Sequence, residues 1–156
     1  INPVNEITRK AHAVRAKVLM DGAHTIERCA EVTEATLAAV YQELAESRVV
    51  LEGTLLKPNM ILSGKDCPTQ AEVQRVAEET IRVLKSSVPA EVPGIVFLSG
   101  GQSSELATMH LNAMNTIGGV PWELSFSYGR ALQEATLEAD RVLVAVGVRA
   151  ILGLGA

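Results

Sequence analysis

Leu51-Glu52-Gly53-Thr54-Leu55-Leu56-Lys57-Pro58-Asn59-Met60 is the stretch whose reading decides the fold. Val49, Val50 and Leu51, then Leu55 and Leu56, are apolar and β-compatible, and Pro58 stops the run, so a strand over about 49–57 is expected. Lys57 stands at the C-terminal mouth of that strand. An ammonium is costly to bury, so a lysine held there is either turned to solvent or kept as a neutral amine. A neutral amine is a nucleophile, and carbonyl carbons are what lysine nucleophiles attack.

Upstream, Asn5 to Val14 reads as a short helix, and Lys17 to Gly22 as a short strand ending in a polar turn. Ile26 to about Glu46 carries apolar residues at helical spacing (Ile26, Cys29, Leu37, Val40, Leu44) and predicts a long helix. Downstream of Lys57, the polar stretch Pro58 to Pro68 reads as a surface crossover. Thr69-Gln70-Ala71-Glu72 has the form of a capping box and opens a helix to about Ser86. Ile95 to Ser99 is a continuous apolar strand of the kind buried in parallel sheets. Gly100-Gly101-Gln102 turns the chain into a helix capped by Ser103 or Ser104 and running to about Thr116. Trp122 to Tyr128 alternates as a strand, and Ala131 to about Val142 as an amphipathic helix. The apolar, glycine-punctuated tail from Leu143 fits either a strand or a helix.

Strands alternating with helices, without hairpin signals, predict an α/β fold of parallel strands joined by right-handed crossovers. The expected strand ends, Asp21, Lys57, Ser99 and Arg130, lie about 36, 42 and 31 residues apart, against roughly 31 per unit in a (β/α)8 barrel. Four units make a partial barrel; an open doubly wound sheet fits the spacing equally well.

At 156 residues, 47% of them hydrophobic, the chain can bury one domain-sized core. Aromatics are only 3%, so alanine, valine and leucine must do most of the packing. The formal net charge of −4 and the lack of a basic run exclude an electrostatic footprint for nucleic acid. Cys29 and Cys67 have no metal-ligand spacing and read as reduced thiols. No apolar run reaches the roughly 18 residues of a membrane span, and no signal peptide precedes the first helix, so a cytoplasmic protein is expected.

In parallel α/β folds, function collects at the carboxyl ends of strands, and three candidates sit there. Lys57 is the first. Ser99-Gly100-Gly101 is the second: glycines at a strand-to-helix turn bring backbone amides close to an anion, although a plain tight turn reads the same way. Gly129-Arg130 is the third, where a guanidinium would clamp a phosphate or simply be solvated. Together they suggest a phosphorylated carbonyl substrate. His12, His24 and His110 are isolated and read as structural or surface residues, and Asp21 as a turn residue.

Leu51 to Met60 resembles the Schiff-base segment of class I fructose-1,6-bisphosphate aldolases. Phe97-Leu98-Ser99-Gly100-Gly101-Gln102-Ser103, Leu111-Asn112-Ala113-Met114-Asn115 and Phe126-Ser127-Tyr128-Gly129-Arg130-Ala131-Leu132-Gln133 are similar to later segments of that family, in the same order. The resemblance runs from about Val18 to Leu137. It implies a TIM-barrel fold and an imine between Lys57 and dihydroxyacetone phosphate or the ketose bisphosphate. It also implies that Ser99, Gly100, Gly129 and Arg130 hold the ketose-side phosphate, with the Leu98 backbone beside them. The imine is the electron sink for carbon–carbon cleavage, so no metal and no cofactor is implied.

The chain departs from the family at both ends. The family's Val-Glu-Pro-Glu pattern, a pair of catalytic glutamates, aligns with Arg15 and Lys17 here. The half of the barrel with the earlier aspartate and lysines, and the C-terminal tyrosine tail, have no counterpart. Ile1 to Ala23 is similar instead to a segment of the cysteine desulfurases, in which the aspartate matching Asp21 pairs with the pyridine nitrogen of pyridoxal phosphate. The lysine and cysteine motifs of that family do not follow, so a fused or fragmentary chain is expected rather than a pyridoxal phosphate site.

The expectation is a single partial-barrel domain over 1–156 that cleaves fructose 1,6-bisphosphate reversibly to dihydroxyacetone phosphate and glyceraldehyde 3-phosphate. The alternative is an inactive phosphate-binding half-barrel. Expected partners are a phosphorylated sugar and either a second copy or a partner half-barrel covering the open sheet edges; neither nucleic acid nor membrane is expected.

Overall fold

The computed structural model describes residues 14–16 and 21–127. The fold is α/β. Four strands, β1 (Val14–Ala16), β2 (Leu55–Pro58), β3 (Gly94–Phe97) and β4 (Glu123–Phe126), form one sheet in chain order, with every neighbouring pair parallel. Three helices connect them: α1 (Ile26–Glu46), α2 (Val73–Ser87) and α3 (Ser104–Ile117). Consecutive neighbours joined by crossovers of one hand carry their helices on one side of the sheet. There α1 packs on α2, and α2 on α3.

The apolar periodicity predicted for 26–46 is helix α1 from end to end. Its N-cap Thr25 accepts the Arg28 amide on its side chain, and Glu27 in the first turn complements the helix dipole. Cys29, Ala30, Thr33, Leu37 and Tyr41 line its buried stripe. Burial pushes the Tyr41 hydroxyl up to about 12, and also pushes up the Cys29 thiol. Cys29 and Cys67 are both buried free thiols.

Strand alternation sorts the sheet's two faces. Leu56, Ile95 and Phe97 are fully buried in the core with Met60, Ile61, Val76, Val83 and Met114. Lys57 and Val96, on the other face, are only partly buried, and Leu55 is 46% exposed. Trp122 anchors the approach to β4 by donating its indole N–H to the Pro89 carbonyl at 2.8 Å.

Three expectations are corrected. A strand forms at Val14–Ala16, where the end of a helix is expected, because pairing with β2 fixes Val14 opposite Leu56 and Arg15 opposite Lys57; of the strand expected over 17–22, Asp21 and Gly22 lie in a bend and residues 17–20 lie outside the described residues. The strand of the opening stretch starts at Leu55, because Leu51–Gly53 closes a 3₁₀ turn in which the Thr54 amide and hydroxyl both reach the Leu51 carbonyl. The capping box does not form: α2 starts at Val73 with Glu72 as N-cap and no side-chain cap. Gln70 donates instead to the Gly64 and Cys67 carbonyls, and Ser63 Oγ accepts the Ala71 amide, which folds 69–72 into the loop. Residues 1–13, the helix expected from Ala131 and the apolar tail lie outside the described residues.

The crossover loop after β2 is stapled to the segment that precedes α1. The Gly64 amide donates to the His24 carbonyl (2.8 Å) and the Asp66 amide to the Gly22 carbonyl (3.0 Å). A Cβ on Gly64 would drive into the Gly22 carbonyl oxygen and the His24 ring. Gly64→Ala is therefore expected to destabilise the chain by about 2–3 kcal/mol in urea denaturation; an unchanged midpoint would mean the staple does not hold.

His110, on the buried stripe of α3, gives a pH signature. Burial holds its imidazole below the ordinary value of 6.5. Below that pH the unfolded chain takes up a proton that the folded chain does not, so stability is retained above it and falls as pH drops through it. The exposed Glu27 and Glu105 carboxyls and the partly exposed Glu34 are held below 4.5 and act only at lower pH. Denaturation midpoints at pH 7.5 and 5.5 should therefore differ more for the parent chain than for His110→Asn.

Candidate functional site

The strand exits build the site. Lys57 is the third residue of β2, and its side chain lies on the face away from the helices because Leu56 and Pro58 take the core side. Beyond β3 the chain stays in register for one more residue, with the Leu98 amide donating to the Pro58 carbonyl at 3.0 Å. The same happens after β4, where the Ser127 amide donates to the Phe97 carbonyl at 2.8 Å. These bonds bring Lys57, Leu98 and Ser127 to one edge of the sheet. There the Lys57 Nζ donates to Ser127 Oγ at 2.8 Å, across a sequence separation of 70.

Ser127 is the site residue that the sequence reading missed. A serine in an alternating strand carries no signature of its own. Its one legible signal is position: it lies at the mouth of β4, immediately before Tyr128-Gly129-Arg130.

Leu98, Ser99 and Gly100 leave β3 at this edge, and all three are partly buried. The Gln102 amide closes a turn on the Ser99 carbonyl at 3.4 Å, and Gly101, at φ +84°, supplies the left-handed conformation such a turn demands of its third residue. Helix α3 follows at once. Its N-cap is Ser103, whose hydroxyl accepts the Leu106 amide at 3.2 Å, so the turn lies against the positive end of a helix dipole. Gln102 reaches back under the turn, donating Nε2 to Met60 Sδ at 3.3 Å while its Oε1 lies 2.7 Å from His110 Nδ1.

Of the residues expected in the site, Lys57, Leu98, Ser99 and Gly100 lie at the exits of the two adjacent strands β2 and β3. Gly129 and Arg130 lie outside the described residues, two and three positions beyond Ser127 in the chain. Asp21 is an exposed residue in a bend. Among the described residues, no cluster of His, Cys, Asp or Glu could hold a metal ion, and no helix is long and apolar enough to cross a membrane. The arrangement presents one amine, oriented by a hydroxyl, beside a glycine turn at a helix N-terminus. That combination suits a carbonyl compound bearing an anionic group.

Comparison with known proteins identifies the family. The family model described as fructose-bisphosphate aldolase class-I matches residues 8–141. The chain is 58% identical over 125 residues to a probable fructose-bisphosphate aldolase class 1 of Xanthomonas axonopodis, covering 80% of this chain and 37% of that protein. It is 54% identical over 127 residues to the cytosolic fructose-bisphosphate aldolase 4 of Arabidopsis thaliana, covering 81% and 32%. Among solved structures, the Plasmodium falciparum fructose-bisphosphate aldolase, crystallised with TRAP and a small-molecule inhibitor, superimposes with a TM-score of 0.78 at 49% identity. That match covers 81% of this chain and 36% of the other. The chain thus spans about a third of the length of the relatives it matches. With the matched region taking in β1 through β4 and every residue of the strand-exit site, the chain belongs to the class-I fructose-bisphosphate aldolase family.

Proposed function

We propose that this chain is a Schiff-base-forming fructose-bisphosphate aldolase built as a partial (β/α)8 barrel of about four units, one domain over residues 1–156. Its substrate is a phosphorylated ketose, and its reaction is reversible cleavage of fructose 1,6-bisphosphate to two triose phosphates. The observation that carries this reading is the part-buried Lys57 amine hydrogen-bonded to Ser127 at the mouth of the parallel sheet. Its setting, in a chain more than half identical to proteins named for that activity, supports it.

In this mechanism the Lys57 nitrogen adds to the substrate ketone carbon, and loss of water leaves an imine. The cationic imine takes up the electron pair as the carbon–carbon bond breaks and the adjoining hydroxyl gives up its proton; glyceraldehyde 3-phosphate leaves, and the remaining enamine is protonated at carbon and hydrolysed to dihydroxyacetone phosphate and the free amine. Ser127 Oγ accepts one Lys57 N–H, which holds the nitrogen at the strand exits where the substrate carbonyl would bind. Ser99, Gly100 and the Leu98 backbone hold the ketose-side phosphate against the N-terminus of α3, with Gly129 and Arg130 completing the clamp. The sheet edges at β1 and β4 are covered by a second copy or by a partner half-barrel. Plant relatives are named as cytosolic or cytoplasmic isozymes, and a cytoplasmic location is the corresponding proposal here.

Borohydride trapping with dihydroxyacetone phosphate, read by peptide mapping, tests the reading. A substrate-sized adduct on Lys57 that vanishes in Lys57→Ala is expected, and absence of any adduct would sink the enzyme. Ser127→Ala should slow trapping by about fivefold, the worth of one hydrogen bond.

Proton transfer is where this chain differs from its family. Arg15 occupies the position directly across from Lys57 in the β1–β2 register, where the family pattern has a glutamate. A guanidinium does not exchange protons at neutral pH, so carbinolamine dehydration lacks a carboxylate at that position. Arg15→Glu is expected to accelerate imine formation by roughly 10²-fold, the contribution of a positioned acid–base group. An unchanged trapping rate would show that proton transfer runs through another group.

A further inference from the structure

We propose that His110 is a positioning residue for the Ser99–Gly101 turn, acting through Gln102. His110 is 1% exposed on α3 and sits among core residues, where a ring nitrogen has few reasons to be. Its Nδ1 lies 2.7 Å from Gln102 Oε1, and Gln102 Nε2 lies 3.3 Å from Met60 Sδ. The chemistry of the three groups fixes the protons. A thioether accepts and cannot donate, so the amide turns its NH₂ to Met60 and its oxygen to the histidine. An amide oxygen only accepts, so Nδ1 carries the hydrogen. His110 Nε2 is then the unprotonated nitrogen, buried without a hydrogen-bond partner among the described residues, and desolvation favours the neutral ring.

The consequence is mechanical. Gln102 is the last residue of the turn, and its own amide closes that turn on Ser99. Its side chain is held at one end by α3 and at the other by Met60, three residues beyond Lys57. Gly100 and Gly101 lack side chains to hold themselves in place, and glycine costs the most to order. The His110–Gln102–Met60 chain supplies the missing restraint and ties the turn to the strand that carries the lysine. An anion site made of backbone amides works only if those amides are already aimed. The positioning role rests on the reading that this turn holds the substrate phosphate; the restraint itself does not.

The test uses the full 156-residue chain and its variants His110→Leu, His110→Asn and Gln102→Leu. Leucine keeps the volume and removes the donor. Asparagine places an amide N–H near the position of Nδ1. Amide hydrogen exchange across 99–102 reads the turn, exchange in α1 serves as the control for global opening, and inorganic phosphate titration reads the site. Expected are about tenfold faster exchange at 99–102 and about tenfold weaker phosphate binding in His110→Leu, with α1 unchanged. Gln102→Leu should match it, the double variant should add nothing, and His110→Asn should stay near the parent chain.

Unchanged exchange at 99–102 in His110→Leu overturns the proposal. So does an asparagine variant as loose as the leucine one, because the ring's bulk and not its donor would then matter. If His110→Leu opens the whole fold, Gln102→Leu decides: a tight turn there overturns the proposal and a loose one supports it. A parent chain that binds no phosphate, with the turn still loosened in His110→Leu, would overturn the positioning role together with the phosphate reading and leave only the restraint on the turn standing.

Discussion

Lys57 and Ser127 sit on strands that are not neighbours, and the contact between them depends on how parallel strands end. Neighbouring strands lie about 4.8 Å apart, so β2 and β4 are separated by about 10 Å across β3. The Lys57 side chain therefore has to cross over β3, and Ser127 has to meet it beyond the end of β4. Two backbone bonds make this possible, Leu98 to Pro58 and Ser127 to Phe97, because each carries the register one residue past its strand. Without them the hydroxyl would not be held within reach of the amine. The register also places the turn that follows Leu98 between the two partners, so the amine, the hydroxyl and the glycine turn share one edge.

Much of this was legible in the chain itself. Helix α1 declared its full length through apolar spacing, and α3 its start through Ser103, because both signals are local. Lys57 and Ser99-Gly100 stood out because a cation after two leucines and a glycine pair after an apolar run are unusual at strand exits. Parallel pairing followed from alternation alone, whereas the strand order did not, because an open doubly wound sheet fits the same spacing. What the sequence hid was decided by tertiary partners. Thr69 to Glu72 has capping chemistry, but Gln70 finds loop carbonyls instead, and Val14 to Ala16 becomes a strand only because β2 offers it a ladder. Ser127 and the Gln102–His110 pair were invisible for the same reason: neither serine nor an isolated histidine signals anything until register or packing gives it a neighbour.

The helix layer is tied by charge as well as by apolar contact. Glu79, nearly buried on α2, takes Arg75 at 3.1 Å and Arg82 at 2.9 Å, and Arg82 reaches on to Glu34 of α1 at 3.4 Å. The Ser86 hydroxyl, 2.6 Å from Glu34, is the main reason that carboxyl lies below its usual range. Pairs whose arginines stay half-exposed to water contribute little singly. Their use here is directional, since they fix how α1 and α2 cross while alanine, valine and leucine fill the space between them.

The two faces of the sheet divide the labour, and that division protects the lysine. Side chains alternate strictly along a strand, so moving β2 by one residue would exchange the faces of Leu56 and Lys57. Leu56 is fully buried beside Ile95 and Phe97, and removing such a leucine from a core costs about 2–5 kcal/mol. The same slip would press an ammonium into that core without a partner. The apolar contacts under the helices therefore hold the Lys57 side chain on the open face of the sheet. The arrangement at the strand exits is specified twice: by the few polar groups that meet there, and by the buried residues on the opposite face that make the alternative register too costly to form.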